Sequence, residues 1–311
     1  MERIIIDTDP GVDDAQAILM AAAHPTSKIE ALLTVAGNVG YEHTLRNALT
    51  LVEVVGQDIP VYAGCDKPLL HFQEDAAFAH GNDGLGDVGL VPKSRQPEKD
   101  HAVAALIRMV NESPGEITLA AIGPLTNVAV ALKLEPDLPK KLKRFVVMGG
   151  AVTGHGNTSS ITAEFNIYYD PEAAHIVFTA WEHAGEIIDV VDWEITTRHG
   201  FPLDVVNRWL EIDTPKAQFF KKMTAKGRER SVTINRKTMY AADPLALAVL
   251  LEPDIVTEAE THHLAISMTD EATRGQTVVD WNDRTGKSAN ANIIMAVDDK
   301  RFQALMEQGI R

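Results

Sequence analysis

The chain has 311 residues, 45% of them hydrophobic, and a formal net charge of −15. That apolar content supplies a sizeable core, and the acidity argues against nucleic-acid phosphate or an anionic membrane surface, both of which favour a basic face. The single cysteine, Cys65, excludes an intrachain disulfide and demands no oxidising compartment; it reads as a packed residue rather than a catalytic thiol.

The first apolar strand begins by Arg3, with no signal peptide ahead of it, and no apolar run is long enough to span a bilayer. A soluble, cytoplasmic protein is expected, folded as one domain over residues 1–311. In chain order, strands are predicted at RIIID, IEALLTVAG, PVYAG, ITLAAIG, KRFVVMGG and GEIIDVV. Helical patterns fall between them, at 13–23, 42–56, 100–112, 124–134 and 170–181. Continuously apolar strands alternating with amphipathic helices predict an α/β fold: an open, mostly parallel sheet with helices on both faces. Beyond about residue 195 the pattern is more helical, through PLDVVNRWL, TPKAQFFKKM and ADPLALAVLL, before a β-rich tail at GQTVVDW and NIIMAV. The basic, aperiodic stretch 224–238 reads as a surface loop or lid.

Ligands in such sheets bind beyond the carboxyl ends of the strands. The first strand ends in DTDPGVDD, which places Asp7, Asp9, Asp13 and Asp14 within eight residues. Pro10 and Gly11 break the strand, and Ala15, Ile18, Leu19 and Ala22 then recur at helical spacing. Asp13 and Asp14 lie in the first helical turn, where the helix dipole favours each by roughly 0.3–1 kcal/mol. An N-cap accounts for one or two of the four. Carboxylates crowded within a few ångströms raise each other's pKa, and a divalent cation with oxygen ligands relieves that repulsion. A metal site is the reading of the whole turn.

Two families have an apolar strand ending in D-x-D. In haloacid-dehalogenase-like phosphatases the first aspartate, here Asp7, is the nucleophile; Gly11 stands where that pattern has Thr or Val. The full string DTDPGVDD resembles the inosine–uridine-preferring nucleoside hydrolases. VAGNVG (35–40), HGNDGLG (80–86), GPLTNVA (123–129), VMGG (147–150), AEFNIYYDPEAA (163–174) and ADPLALA (242–248) follow as family-like blocks in family order. The resemblance implies cleavage of the N-glycosidic bond of ribonucleosides to ribose and base, with a tightly held calcium ion (Ca2+) and a homodimer or homotetramer.

Carried over by position, the resemblance makes Asp9, Asp14, Asp243 and the carbonyl of Ile122 the metal ligands, and Asp9 the base that activates water. Asp13, Asn38, Asn157, Glu164 and Asn166 hold the ribose, with Met148 also at the substrate. Glu164 and Asn166 point to one side if AEFN is extended. GNTSSITAEFN is one residue longer between Asn157 and Glu164 than the family form. Asp243 before Pro244 also has the form of a helix N-cap, as does Asp170, where the cap reading is taken.

The sequence departs from the family at the leaving group. Many members carry histidine immediately before the last metal aspartate; here that position is Ala242. His80 and Tyr240 are the candidate replacements as leaving-group acid, and Trp193 is a candidate for stacking on the base. The loss of that histidine keeps open an unusual ribosyl substrate, or a ribose-binding protein without turnover.

Overall fold

The computed structural model describes residues 1–70, 75–269 and 271–311. Six parallel strands form most of its main sheet: β1 (Glu2–Thr8), β2 (Ser27–Thr34), β3 (Val61–Tyr62), β4 (Ile117–Ala121), β5 (Arg144–Met148) and β6 (Ile188–Val191). The spatial order is β3-β2-β1-β4-β5-β6, extended by strand Ala291–Val297 parallel to β6 and closed by strand Val256–His262 antiparallel to it.

Three consecutive isoleucines make β1 the centre of the sheet because both of its faces are covered. Ile4 and Ile6 join one core, Ile5 joins the other, and all three are fully buried. Truncating any of them to alanine is expected to cost about 2–5 kcal/mol. On the first face, helix α1 (Val12–Ala23) packs against helices Ala242–Leu251 and Asp299–Ile310. Helix Ala242–Leu251 is buried at every residue, which fits its nearly uniform apolar sequence. Helices Thr126–Leu134 and Pro171–Ala184 pack together on the other face.

The predicted alternation holds for the first 190 residues, with helix boundaries within a few residues of those expected. Four features differ. The stretch read as a loop at 224–238 contains the helix Ala225–Thr233, followed by the two-residue strand Thr238–Met239; its side chains are mostly exposed, so no apolar stripe announced it. AEFN is not extended: Glu164 caps a short helix, Phe165–Tyr169. Strand Val256–His262 was not expected, because an edge strand with an exposed, charged face has no apolar pattern. The predicted tail strand at GQTVVDW forms only at Thr277–Val279, and pairs with Leu264–Ile266 rather than with the main sheet.

The chain turns one way from β1 to β2 and later crosses to β4 on β1's other side. The carboxyl ends of β1 and β4 therefore flank the topological switch point, where open α/β sheets bind ligands. The two ends are tied directly, with Ile122 N–H donating to the Asp7 carbonyl at 2.9 Å. Among the described residues no helix is long and apolar enough to cross a membrane.

Candidate active site

The acidic turn sits at this switch point. Asp7, Asp9 and Asp14 are fully buried and Asp243 is 3% exposed. Gly11, without a side chain, is the N-cap of α1, and Asp14 bonds back to its N–H from the third helical position, which leaves Asp13 outside the cap. The Asp14 carboxylate accepts from Gly11 N–H at 2.8 Å, Thr8 Oγ1 at 2.5 Å and Asn38 Nδ2 at 3.0 Å. The N-cap of helix Ala242–Leu251 is Ala241, which frees Asp243 from the capping role its sequence suggested. Asp170, by contrast, is a structural cap: it accepts from Ala173 N–H, Leu69 N–H and Thr126 Oγ1.

Asp14, Asp243 and Asp13 each offer a carboxylate oxygen, all within 4.8 Å of one another. This cluster differs from the expected carboxylate ligands in one member, Asp13 rather than Asp9. Asp9 is nevertheless close enough for its charge to raise the pKa of Asp243. Burial first, and then the charge of Asp14, holds Asp9 well above the usual carboxylate range; burial followed by three aspartate neighbours does the same to Asp243. Burial pushes Asp13 up to about 6. Asp9 Oδ1 and Asp13 Oδ1 are buried with no hydrogen-bond partner, and a buried carboxylate oxygen without a partner is costly. An all-oxygen donor set with unsatisfied lone pairs fits a hard divalent cation, which would reverse the repulsion.

Asp9 is also the most tightly cradled of these groups. Its Oδ2 accepts from Asn38 N–H at 2.7 Å, and the Asn38 side-chain amide donates to the Asp9 carbonyl at 3.2 Å. A Cβ added at Gly37 would lie 2.0 Å from Asp9 Oδ2, and one at Gly123 would lie 2.6 Å from Asp9 Oδ1. The glycines of VAGNVG and GPLTN are thus needed for close approach to one carboxylate.

Asp7 plays a different part. Its Oδ2 accepts from Asn127 Nδ2 at 2.8 Å, burial pushes its pKa up to about 8, and it does not line the cleft. Its carboxylate is tied through Asn127 to helix Thr126–Leu134 and is not a member of the Asp13, Asp14 and Asp243 cluster, which leaves an Asp7-based phosphatase without support. The Cys65 thiol is also disfavoured as a nucleophile, because burial and then the Asp7 charge push it up to about 12.

A cleft of about 350 Å³ opens above the turn. It brings together Asp13, Asn38, His80, Ile122, Met148, Asn157, Glu164, Asn166, Trp193, Tyr240 and Asp243, with Asp9 and Asp14 buried beneath. Capping, not an extended strand, orients Glu164 and Asn166. The Glu164 carboxylate accepts from the N–H groups of Asn166 (2.9 Å), Gly150 (3.0 Å) and Ile167 (3.3 Å). Burial outweighs those bonds and pushes its pKa up to about 7. Asn166 Nδ2 reaches the carbonyls of Ile122 at 3.1 Å and Met148 at 3.2 Å, joining the ends of β4 and β5. The longer Asn157–Glu164 segment folds back on itself: Gly156 N–H meets the Ile161 carbonyl, Asn157 N–H meets the Ala163 carbonyl, and Ile161 takes a left-handed φ of 63°. Asn157 still faces the cleft.

The His80 ring accepts at Nδ1 from Val12 N–H at 3.1 Å and lies 3.7 Å from Asp13. That bond assigns its proton to Nε2, and burial lowers its pKa. Trp193 meets Tyr240 edge-on, with ring centroids 5.5 Å apart. Sequence reasoning missed the remaining wall, which includes Phe78, Phe165, Arg230 and Arg236. The two arginines sit in the basic stretch, where a solvated charge run was the natural reading.

A second hollow, about 480 Å³, lies among Leu132, Lys140, His175 and His183; its lining includes one carboxylate, Asp137.

The sequence profile of the inosine-uridine preferring nucleoside hydrolases matches residues 4–304. The chain is 34% identical over 312 residues to a pyrimidine-specific ribonucleoside hydrolase, RihB, of Escherichia coli O17:K52:H18, spanning 99% of this chain and 97% of that protein. It is 40% identical over 262 residues to uridine nucleosidase 1 of Arabidopsis thaliana, spanning 82% of this chain and 76% of that one. A solved inosine-guanosine nucleoside hydrolase superposes with a TM-score of 0.91 at 28% identity, covering 100% of this chain and 99% of the other. The chain belongs to the inosine-uridine preferring nucleoside hydrolase family, and its reaction class is N-glycosyl hydrolysis.

Proposed function

We propose that this chain hydrolyses ribonucleosides to ribose and free base at the acidic cleft, with Asp9 as general base and calcium as the resident cation. The observation that carries the reading is the buried oxygen cluster of Asp13, Asp14 and Asp243 beside Asp9, at the floor of a cleft lined by amides and a carboxylate suited to a sugar.

Asp9, Asp14, Asp243 and the Ile122 carbonyl would hold the cation, with Asp13 in reach of the same oxygens. A hard cation held there would supply positive charge that lowers the pKa of a nearby water and favours oxygen donors. Asp9 takes the proton of that water; its cradle of Gly37, Gly123 and Asn38 N–H fixes the accepting oxygen. Asp13, Asn38, Asn157, Glu164 and Asn166 bind the ribose hydroxyls, with the Met148 side chain packed beside Asn166. Contacts that tighten as the ribosyl ring flattens toward an oxocarbenium-like state favour the transition state over the substrate.

His80 offers an Nε2–H to the substrate, while its Nδ1 stays engaged with Val12. Trp193 stacks on the base, and Tyr240 presents its hydroxyl from the same wall. The two departing fragments balance: water oxygen bonds to C1′, the C1′–N electron pair goes to the base, and the base gains a proton. The chain is read as one domain acting as a homo-oligomer in the cytoplasm, in nucleoside salvage.

Release of reducing sugar from inosine, adenosine, guanosine, uridine and cytidine, with and without chelator, tests the reading. Chelator-sensitive release from at least one is expected. No release from any, in protein shown to contain calcium, overturns it.

A further inference from the structure

Resting on the ribohydrolase reading, we infer that Arg236 is the leaving-group residue of this enzyme, and that it selects nucleosides whose base carries oxo groups able to accept its N–H bonds. The relatives leave base choice open, since one is named for pyrimidines and another for inosine and guanosine. The cleft itself supplies the discriminating group.

Cleaving the C1′–N bond leaves an electron pair on the base. Either an acid protonates the base or fixed charge stabilises it as an anion. The position adjoining Asp243 is Ala242, a cleft-lining methyl that can do neither. His80 is held at the acidic floor, bonded to Val12 N–H and 3.7 Å from Asp13. On the wall formed by Trp193 and Tyr240, the charged group is Arg236, whose guanidinium carbon stands 4.2 Å from the Tyr240 ring centroid. Tyr240 is in turn braced edge-on by Trp193 at 5.5 Å.

Arg236 is half-buried, lines the cleft, and among the described residues has no carboxylate partner, in a chain of net charge −15. Arg230 is less suited. It is exposed, donates to the Phe78 carbonyl at 3.4 Å, and rests over the Phe78 ring at 5.0 Å. A stacked guanidinium with unspent donors remains charged at any working pH and reads adjacent acceptors in its plane.

A guanidinium cannot give up its proton usefully at neutral pH, so the base leaves as an anion whose charge spreads onto its carbonyl oxygens. The Arg236 N–H groups meet that charge as it develops. Water then protonates the released base, and the proton taken by Asp9 returns to solvent. Uracil- and hypoxanthine-type bases present carbonyl oxygens for this. The amino groups of cytosine and adenine place a donor where the oxygen would be, facing another donor.

The test uses the intact calcium-loaded protein. Ribose release is measured for Arg236→Gln and Arg236→Lys on uridine, inosine, cytidine, adenosine and p-nitrophenyl riboside, whose leaving group is already a stable anion. For the unmodified chain, uridine and inosine are expected to exceed cytidine and adenosine at least tenfold in kcat/KM. Arg236→Gln should lose about 100-fold on uridine and inosine, chiefly in kcat, and at least tenfold less than that on p-nitrophenyl riboside. Arg236→Lys should recover part of the loss. An equal loss on all five substrates, or no loss on uridine and inosine, overturns the assignment. Release by the unmodified chain from none of the five overturns the ribohydrolase reading itself, which separates the two failures.

Discussion

Gly37→Ala isolates the position of one carboxylate. Gly37 carries no left-handed φ, so alanine meets no backbone strain there. The added methyl, however, would sit 2.0 Å from Asp9 Oδ2, 2.8 Å from its Cγ and 2.9 Å from Pro124 Cδ. Pro124 is held in the turn after β4, so Asp9 must yield. Reaching ordinary contact requires its oxygen to retreat by about 1.4 Å, which breaks the 2.7 Å bond from Asn38 N–H. Displacements near 1 Å at a reacting group cost roughly 10²-fold, and overpacking of a buried site costs about 1–3 kcal/mol. The expected result is a loss of about 100-fold in kcat/KM, carried by kcat, in protein that still folds cooperatively. Gly40→Ala is the control: its nearest contact is His43 Cδ2 at 3.9 Å, and kcat/KM should stay within twofold. Sugar release by both variants, with thermal unfolding followed by circular dichroism, is the assay. If Gly37→Ala keeps more than a third of the original kcat/KM, the cradle does not position Asp9 for catalysis.

Asp9→Asn preserves shape but removes the proton acceptor, and kcat should fall by about 10²–10⁴-fold; activity within tenfold of the original would move the base elsewhere. Asp170→Ala should separate structure from chemistry: losing the cap and the acceptor for Thr126 and Leu69 should cost about 2–4 kcal/mol in denaturant unfolding, with kcat/KM within threefold. An unchanged midpoint would refute the capping role. The chelated protein should lose stability as pH rises. Asp7 (about 8), Glu164 (about 7) and Asp13 (about 6) all have raised folded-state pKa values, so the folded chain binds more protons than the unfolded one. The penalty begins above the ordinary carboxylate pKa near 4 and grows to about pH 8. The proposed ligands Asp9, Asp14 and Asp243 are raised in the same sense, so protons compete with a cation for them at low pH; calcium binding should stabilise more at pH 8 than at pH 5.5, and a calcium-induced Tm shift that shrinks over that range would contradict this account.

The sequence by itself determined the alternation of strands and helices in the first 190 residues and the crowding of aspartates after β1. Both are local patterns: a doubly buried strand must be continuously apolar, as Ile4–Ile6 are, and the acidic turn is contiguous in the chain. The family resemblance carried by its motifs also marked Ala242 as a position where the resemblance implied a histidine. Tertiary structure alone decided which aspartates do what. Asp7 and Asp9 are two residues apart, yet one is tied by Asn127 to helix Thr126–Leu134 and the other lies buried beneath the cleft between Gly37 and Gly123. Asp170 and Asp243 both precede proline, yet only Asp170 is a cap, because Ala241 starts the other helix. The helix Ala225–Thr233 and the placement of Arg236 were equally illegible. A mostly exposed helix carries little apolar period, and whether an arginine is solvated or faces a cleft depends on the Tyr240 ring it stands over and on Trp193, which braces that ring only when the chain is folded.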